Sequence, residues 1–414
     1  MASTATRSNG FDPESVFAEI LNPASDGKRY PLFSLLREHA PVFQTNLPGL
    51  QGWYVVSNYE YAHQLTNSPK TQNNSKVLEL MNLSPDGAYS NQSRRWMEYK
   101  DDIAEHDRIR RLFMPHFTPR AVEAFRPKVR ELVAELLNGV ADPRRVEIVR
   151  EFAFPLPSAV IGSLLGIELK DYDRFRHCME AILDATANVR VLSDAERKER
   201  DDLAEEFLGM FRDYIAMRRR NPKDDLISKF ASEDIQAKIS EEDLLAQFVF
   251  ILMAGYSTTS DMIGNAIVAL AHNPDQLKKM LDDPNRIPDA ITELLRYDTS
   301  LVTSTRFVNE PITLGNTTLP AGACVMILLA AAHHDPAAFE NPETLDLDRT
   351  FGKRVFPFGG GRYVCLGMSL ARIELEEALR AFFKRYPRYQ VDELAWLGLL
   401  VSHGPKKLVI SATA

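Results

Sequence analysis

Cysteine is scarce in this chain: Cys178, Cys324 and Cys365 are three among 414 residues, odd in number and far apart. That excludes a disulfide framework, and the absence of any CxxC or Cys/His spacing excludes structural zinc. Long apolar runs are missing as well. The most apolar stretch, Leu244 to Ala254, is too short to span a bilayer and runs into Ser257, Thr258, Thr259, Ser260 and Asp261, so it reads as a helix through a globular core. There is no basic excess either. A net charge of -8 speaks against a nucleic-acid partner, which needs a clustered positive surface, and favours a small molecule or an electron-transfer protein. The opening MASTATRSNG has no signal-peptide pattern, so residues 1–10 read as a flexible lead into a cytoplasmic protein with no membrane anchor, expected to be a monomer. No spacer, low-complexity block or fixed-period repeat divides the remainder. Residues 11–414 therefore read as one large domain, although the length would allow two or three.

What is present is mainly helical patterning. Pro127 opens a predicted helix with Val129, Leu132, Val133, Leu136 and Leu137 on one stripe and Asn138-Gly139 as its stop. Pro288 opens another, with Ala290, Ile291, Leu294 and Leu295 apolar. Strand signals are short: GWYVVS near residue 53, then PITLGNTTLPAGACVMILL, with turns at Gly315-Asn316 and Ala321-Gly322. The fold class expected is mainly α with small antiparallel β-sheets at the edge.

Four stretches could carry chemistry. FPFGGGRYVCLG sets three glycines and Cys365 just ahead of an amphipathic helix. Glycines suit a loop pressed against a flat ligand, and a helix N-terminus favours a thiolate, so Cys365 reads as a nucleophile, a metal ligand or a small buried residue. No GxxxxGK pattern and no strand-GxGxxG-helix unit supports a nucleotide cradle. AGYSTT, Ala254 to Thr259, breaks an apolar helix with a glycine and hydroxyls that can bond a ligand or the preceding turn. ELLR places Glu293 and Arg296 on one helix face, and HDRIR offers His106 and Arg110 as paired cationic donors. Taken singly, these three also fit a helix kink, a solvated ion pair and a basic surface.

In order, HxxxR, AGxxTT, ExxR and FGGGxxxCLG resemble the haem-thiolate monooxygenases, the cytochrome P450 family, and LLRYDTS, HHDPAAF and LDLDR extend the likeness over most of the chain. The resemblance implies a single large cytochrome P450 fold over 11–414, haem b ligated by Cys365, and thiolate donation that favours oxygen-oxygen cleavage. It gives Phe358, Gly359, Gly361 and Gly367 to the loop beneath the porphyrin, and His106, Arg110 and Arg306 to the propionates. Thr258 becomes the alcohol of a proton relay, with Ala254 and Gly255 where haem, dioxygen and substrate approach the distal helix. Glu293, Arg296 and Arg349 form a buried charge cluster, and Tyr256, Leu301, Val302 and Thr303, with the stretches Met81 to Lys100 and Phe175 to Val191, line the substrate pocket.

Two departures from the family's pattern stand out. Tyr363 occupies the place of a propionate-binding His or Arg, leaving Arg362 to swing in or the other donors to suffice. Ser257 occupies the place of an acid beside the relay threonine. The function implied is oxidation of a hydrophobic small molecule, such as a secondary-metabolite intermediate, with O2 and electrons from NAD(P)H through a ferredoxin reductase and a ferredoxin that docks on Arg108, Arg111, Lys353, Arg354 and Arg372. Alternatives are oxidative coupling, ring closure or desaturation, peroxide-driven oxidation, and a haem-binding sensor or carrier without turnover.

Overall fold

The computed structural model describes residues 11–22, 29–76, 87–168, 193–397 and 401–412, with isolated positions between 169 and 192. The N-terminal lead, Met81 to Asp86 and most of Phe175 to Val191 lie outside the described residues.

The body is helical. Helices of six or more residues, in chain order, are α1 Pro13–Leu21, α2 Arg29–His39, α3 Tyr59–Asn67, α4 Ala88–Ser93, α5 Ile103–Phe113, α6 Pro119–Asn138, α7 Pro155–Leu165, α8 Asp194–Arg220, α9 Glu241–His272, α10 Pro274–Asp282, α11 Ile287–Tyr297 and α12 Met368–Arg385. The axis of the molecule is α9. Its first turn carries Glu241, Glu242 and Asp243, which suit the positive end of the helix dipole, and Ser240 caps it by accepting from the Asp243 amide at 3.1 Å. Apolar residues on nearly every face bury it against α7, α8, α12 and the C-terminal strands. None of the described helices is long and apolar enough to cross a membrane.

The stripe expected after Pro127 is present, with Val129, Leu132, Val133 and Leu137 buried, but the helix begins eight residues earlier. Thr118 caps it and Pro119 takes the first helical position. Pro127 sits inside α6, forgoing one backbone bond that packing against α12 and α7 offsets.

The sheets are small. Strands β1 Val42–Gln44, β2 Tyr54–Val56, β3 Thr71–Gln72, β5 Thr303–Val308 and β8 Cys324–Leu328 form one sheet in the order β1-β2-β8-β5-β3. It is mixed rather than antiparallel throughout, because β2 runs parallel to β8, with Val55 opposite Met326. Strands β4 Arg145–Glu147, β9 Tyr389–Trp396 and β10 Pro405–Ala412 form an antiparallel second sheet, ordered β4-β10-β9. The predicted Gly315-Asn316 turn joins β6 Ile312–Leu314 to β7 Thr317–Leu319, with Gly315 at φ +56°.

Candidate active site around Cys365

The cysteine loop is held from three sides. The Cys365 amide donates to the Phe358 carbonyl at 2.9 Å, folding the loop on itself. Gly359 and Gly361 both take positive φ, +69° and +59°. A Cβ on Gly361 would lie 3.0 Å from the Thr66 carbonyl oxygen, and one on Gly360 would lie 2.8 Å from Asn67 Oδ1. These glycines thus let the loop close on the end of α3, a contact that the expected packing against a porphyrin did not include. Gly367 precedes α12, which lacks a side-chain cap. The amides of Gly367 and Met368 are directed at the Cys365 sulfur instead.

Removal from bulk water pushes the Cys365 thiol up to about 11, against those amides. Yet Cys365 is exposed, whereas Cys178 is buried and Cys324 half-buried. The two facts agree if the sulfur faces a space inside the body. Ala254 is likewise exposed in the middle of the buried helix α9, with Ser257 and Thr258 half-buried, and α9 packs against α12. Thr258 Oγ1 donates to the Ala254 carbonyl at 3.1 Å, the back-bond that a mid-helix hydroxyl makes.

A second group of donors converges beside the loop. His106 on α5 lies 4.7 Å from the Tyr363 ring, and the Arg306 guanidinium of β5 stacks 5.5 Å above the same ring. His106 Nε2 and Arg306 Nε are buried and make no hydrogen bond among the described residues, and buried Tyr363 Oη is met by the Asn73 backbone amide alone, with no side-chain partner. Burial lowers the His106 pKa, and it lowers Arg306 to about 10 against the pull of Glu98. Burial, then Glu98, raises Tyr363. Arg110 is committed differently from expectation: it pairs with Glu98 at 3.3 Å and donates to the Val364 carbonyl next to Cys365. Arg362 does not swing in. It turns outward to pair with Asp107, which in turn bonds His106 Nδ1 at 2.9 Å.

Glu98 and Asn73 are the residues that sequence reasoning missed. Asn73 receives Arg306 Nη1 at 2.9 Å and donates to Glu98 at 3.2 Å. Glu98 is raised to about 7 by burial, opposed by Arg110 and Arg306. No motif or period marks either residue, so only the fold reveals them.

Some expected site residues stand elsewhere. Gly255 faces α7, where a Cβ would meet Ile161 at 3.1 Å, so its smallness serves the packing of α9 on α7. Tyr256 is fully buried edge-on against Phe154 at 4.2 Å, on the side of α9 away from Thr258. Val302 packs into the N-terminal cluster with Phe17 and Phe33, while Thr303 is buried and Leu301 half-buried. Phe358 is half-buried, with Arg372 stacked 6.0 Å above its ring.

The charge cluster is complete. Arg296 binds Glu293 through two bonds of 2.7 and 2.8 Å and donates to the carbonyls of His333, Pro342 and Thr344. Arg349 Nε reaches both Glu293 oxygens at 3.0 Å.

An accessible, amide-supported cysteine beside buried donors with unused hydrogen-bonding atoms fits a flat iron porphyrin with acidic edge groups. Cys365 would ligate the iron, and His106, Arg306 and Tyr363 would receive the propionates. The architecture and site thus define a haem-thiolate oxidoreductase. A family model described as Cytochrome P450 matches residues 10–392, and the chain belongs to that family. It is 32% identical to 6-deoxyerythronolide B hydroxylase of Saccharopolyspora erythraea, over 91% of this chain and 94% of that one. It is 29% identical to the biotin biosynthesis cytochrome P450 of Bacillus subtilis (strain 168), over 89% and 91%. The solved structure of P450BioI with hexadec-9Z-enoic acid-ligated acyl carrier protein superposes with a TM-score of 0.85 at 27% identity, covering 95% of this chain and 99% of that one. The chain is accordingly a cytochrome P450 monooxygenase.

Proposed function

We propose that this enzyme inserts one atom of O2 into a hydrophobic biosynthetic intermediate in the cytoplasm, with electrons passed from NAD(P)H through a ferredoxin reductase and a ferredoxin. The observation that carries the reading is Cys365: an exposed residue whose thiol is withdrawn from bulk water, served by two backbone amides and paired with no second cysteine. Haem b bound there supplies the oxidising chemistry. The amides of Gly367 and Met368 stabilise negative charge on the sulfur and temper its donation. Arg110 clamps the loop carbonyl adjacent to Cys365, and His106, Arg306 and Tyr363, which lie together beside the loop, would hold the acidic edge of the cofactor. On α9, Ala254 leaves room for substrate, and the Thr258 hydroxyl is positioned to exchange its bond to Ala254 for one to water.

A carbon monoxide difference spectrum of the reduced protein tests the thiolate. Turnover with added ferredoxin and reductase, against turnover with peroxide, tests the electron source. An inactive protein with normal thiolate haem would point to a sensor or carrier.

Ser257 supports a second reading of the reaction type. Serine cannot supply a titrating carboxylate beside Thr258, so protons travel through hydroxyls and water. That suits an oxidative coupling, ring closure or desaturation, or it costs peroxide leakage. Product formed per reduced nicotinamide consumed distinguishes these: Ser257→Asp is expected to raise the ratio if leakage operates. Tight coupling in the parent with no gain in the variant would eliminate leakage.

A further inference from the structure

Among the described residues, three arginines are fully buried: Arg200, Arg218 and Arg296. Two are paired with carboxylates, Arg218 with Asp225 at 2.6 Å and Arg296 with Glu293 at 2.7 Å. Arg200, on α8, is 1% exposed, and its Nε, Nη1 and Nη2 make no hydrogen bond among the described residues. Its guanidinium lies 5.1 Å above the Tyr89 ring of α4. The neighbouring acid makes no hydrogen bond to it, although its charge acts on the guanidinium: Asp201 accepts the Tyr89 amide at 3.2 Å and fills the space beside Gly87. One turn on from Tyr89, Gln92 is buried with both amide atoms unbonded among the same residues.

A guanidinium keeps its charge when buried, so this arrangement is unfavourable in isolation, and stacking on one ring offsets only part of the cost. A path leads from it toward the site already described. Tyr89 meets Trp96 edge-on at 5.9 Å, and Trp96 meets Phe250 at 5.2 Å. Phe250 precedes Ala254 by four residues, one turn along α9.

We propose that Arg200 anchors the carboxylate of an elongated substrate, with Gln92 as an additional donor and the apolar body of the acid laid along Tyr89, Trp96 and Phe250 toward Ala254. The planar fork of the guanidinium matches a carboxylate through two parallel bonds, which an amide or ammonium cannot reproduce. The placement of the oxidised end at Ala254 rests on the function proposed above, whereas the anchoring of the acid does not.

The test uses the haem-loaded protein, with Arg200→Gln and Arg200→Lys beside the parent. Decanoic and tetradecanoic acids and their methyl esters are titrated by calorimetry, and each protein is melted with and without ligand. The parent is expected to bind the acids at least about ten-fold tighter than the esters, as charge-assisted hydrogen bonds imply. Arg200→Gln should lose about ten- to a hundred-fold for the acids, keep its ester affinity, and melt no lower than the parent without ligand, because an unpaired buried charge has gone. Arg200→Lys should recover part of the acid preference. Equal affinity of acid and ester in the parent, including no binding of either, overturns the proposal. So does unchanged acid affinity in Arg200→Gln, or a lowered melting temperature with acid and ester weakened alike, which would make the guanidinium a structural group. A carbon monoxide spectrum without the thiolate band would remove the oxidase reading and leave the acid-ester contrast intact as the measure of Arg200.

Discussion

Asp261 lies one turn beyond Ser257 on α9, and its carboxyl is 5% exposed. It does not replace the acid missing at Ser257, because it is turned to the C-terminal loop: a Cβ on Gly404 would lie 2.4 Å from Asp261 Oδ1. Burial raises its pKa from 3.8 to about 7, with His403 and Ser402 opposing. The folded state therefore holds a proton that the unfolded chain has released over that window. Stability falls as pH rises from about 4 to about 7, and the lost part stays lost above it. Asp261→Asn removes this dependence. In paired melts at about pH 5 and about pH 8 the variant should gain on the parent by a further 2–3 kcal/mol or so at the higher pH, because each tenfold difference in proton affinity between folded and unfolded chain is worth about 1.4 kcal/mol. Equal differences at both pH values would show that Asp261 is ionised in the fold. The loop that it meets is also held by Asn265, which donates to the His403 carbonyl at 3.0 Å.

Among the elements, the Glu293-Arg296-Arg349 cluster joins α11 to the segment that leads toward the cysteine loop, since Glu293 also accepts the Asp346 amide at 3.0 Å. Both members of the central pair are almost fully buried, so Arg296→Ala leaves Glu293 with Arg349 and the Asp346 amide alone and frees the carbonyls of His333 and Pro342. A loss of about 3 kcal/mol is expected, at the low end for a broken buried pair because Arg349 still faces Glu293, and it is seen as poor haem incorporation before any change in product selectivity. A variant with full haem content and the parent's melting temperature would refute the scaffold role. This cluster was legible in sequence because ExxR and LDLDR are local motifs whose residues meet by helix spacing and a short return of the chain. The cysteine loop was legible for the same reason. Pro127 was misread because proline marks a helix start more often than it is tolerated inside one, and α6 is long enough to offset the missing bond through its packing. Tyr256 was misplaced because a motif states which residues stand together, whereas the orientation of α9 against α7 decides which face each one presents. Glu98 lies in a single helical turn at Met97–Tyr99 and Asn73 just after β3, segments too short to show a period, so nothing local announced them.

At the scale of the molecule, a chain of net charge -8 must still receive electrons from an acidic carrier if the proposed ferredoxin serves it. The surface best suited to that lies outside the cysteine loop, where a cavity of about 410 Å³ is lined by Asp107, Arg110, Arg111, Met114 and Arg362. Met114 is 49% exposed there, an apolar contact beside cations, which is the composition of a transient charged interface. Of the cations expected from sequence to form a docking face, Arg111, Lys353 and Arg354 are exposed. Arg108 is engaged by Glu105 and the Lys238 carbonyl, and Arg372 donates to Thr292 at 3.0 Å. Arg111 is thus the side chain that the cavity leaves available near the loop. Arg111→Glu replaces attraction with repulsion at the rim, where charges act mainly on encounter rates and are screened by salt. Ferredoxin-supported turnover should show KM for ferredoxin raised about ten-fold at low salt, kcat nearly unchanged, and the difference shrinking as ionic strength rises. The carbon monoxide spectrum should match the parent's, because the hydrogen bonds that hold the loop come from Arg110, Phe358 and α12 rather than from Arg111. An unchanged KM, or an effect independent of salt, would place the electron carrier on another face.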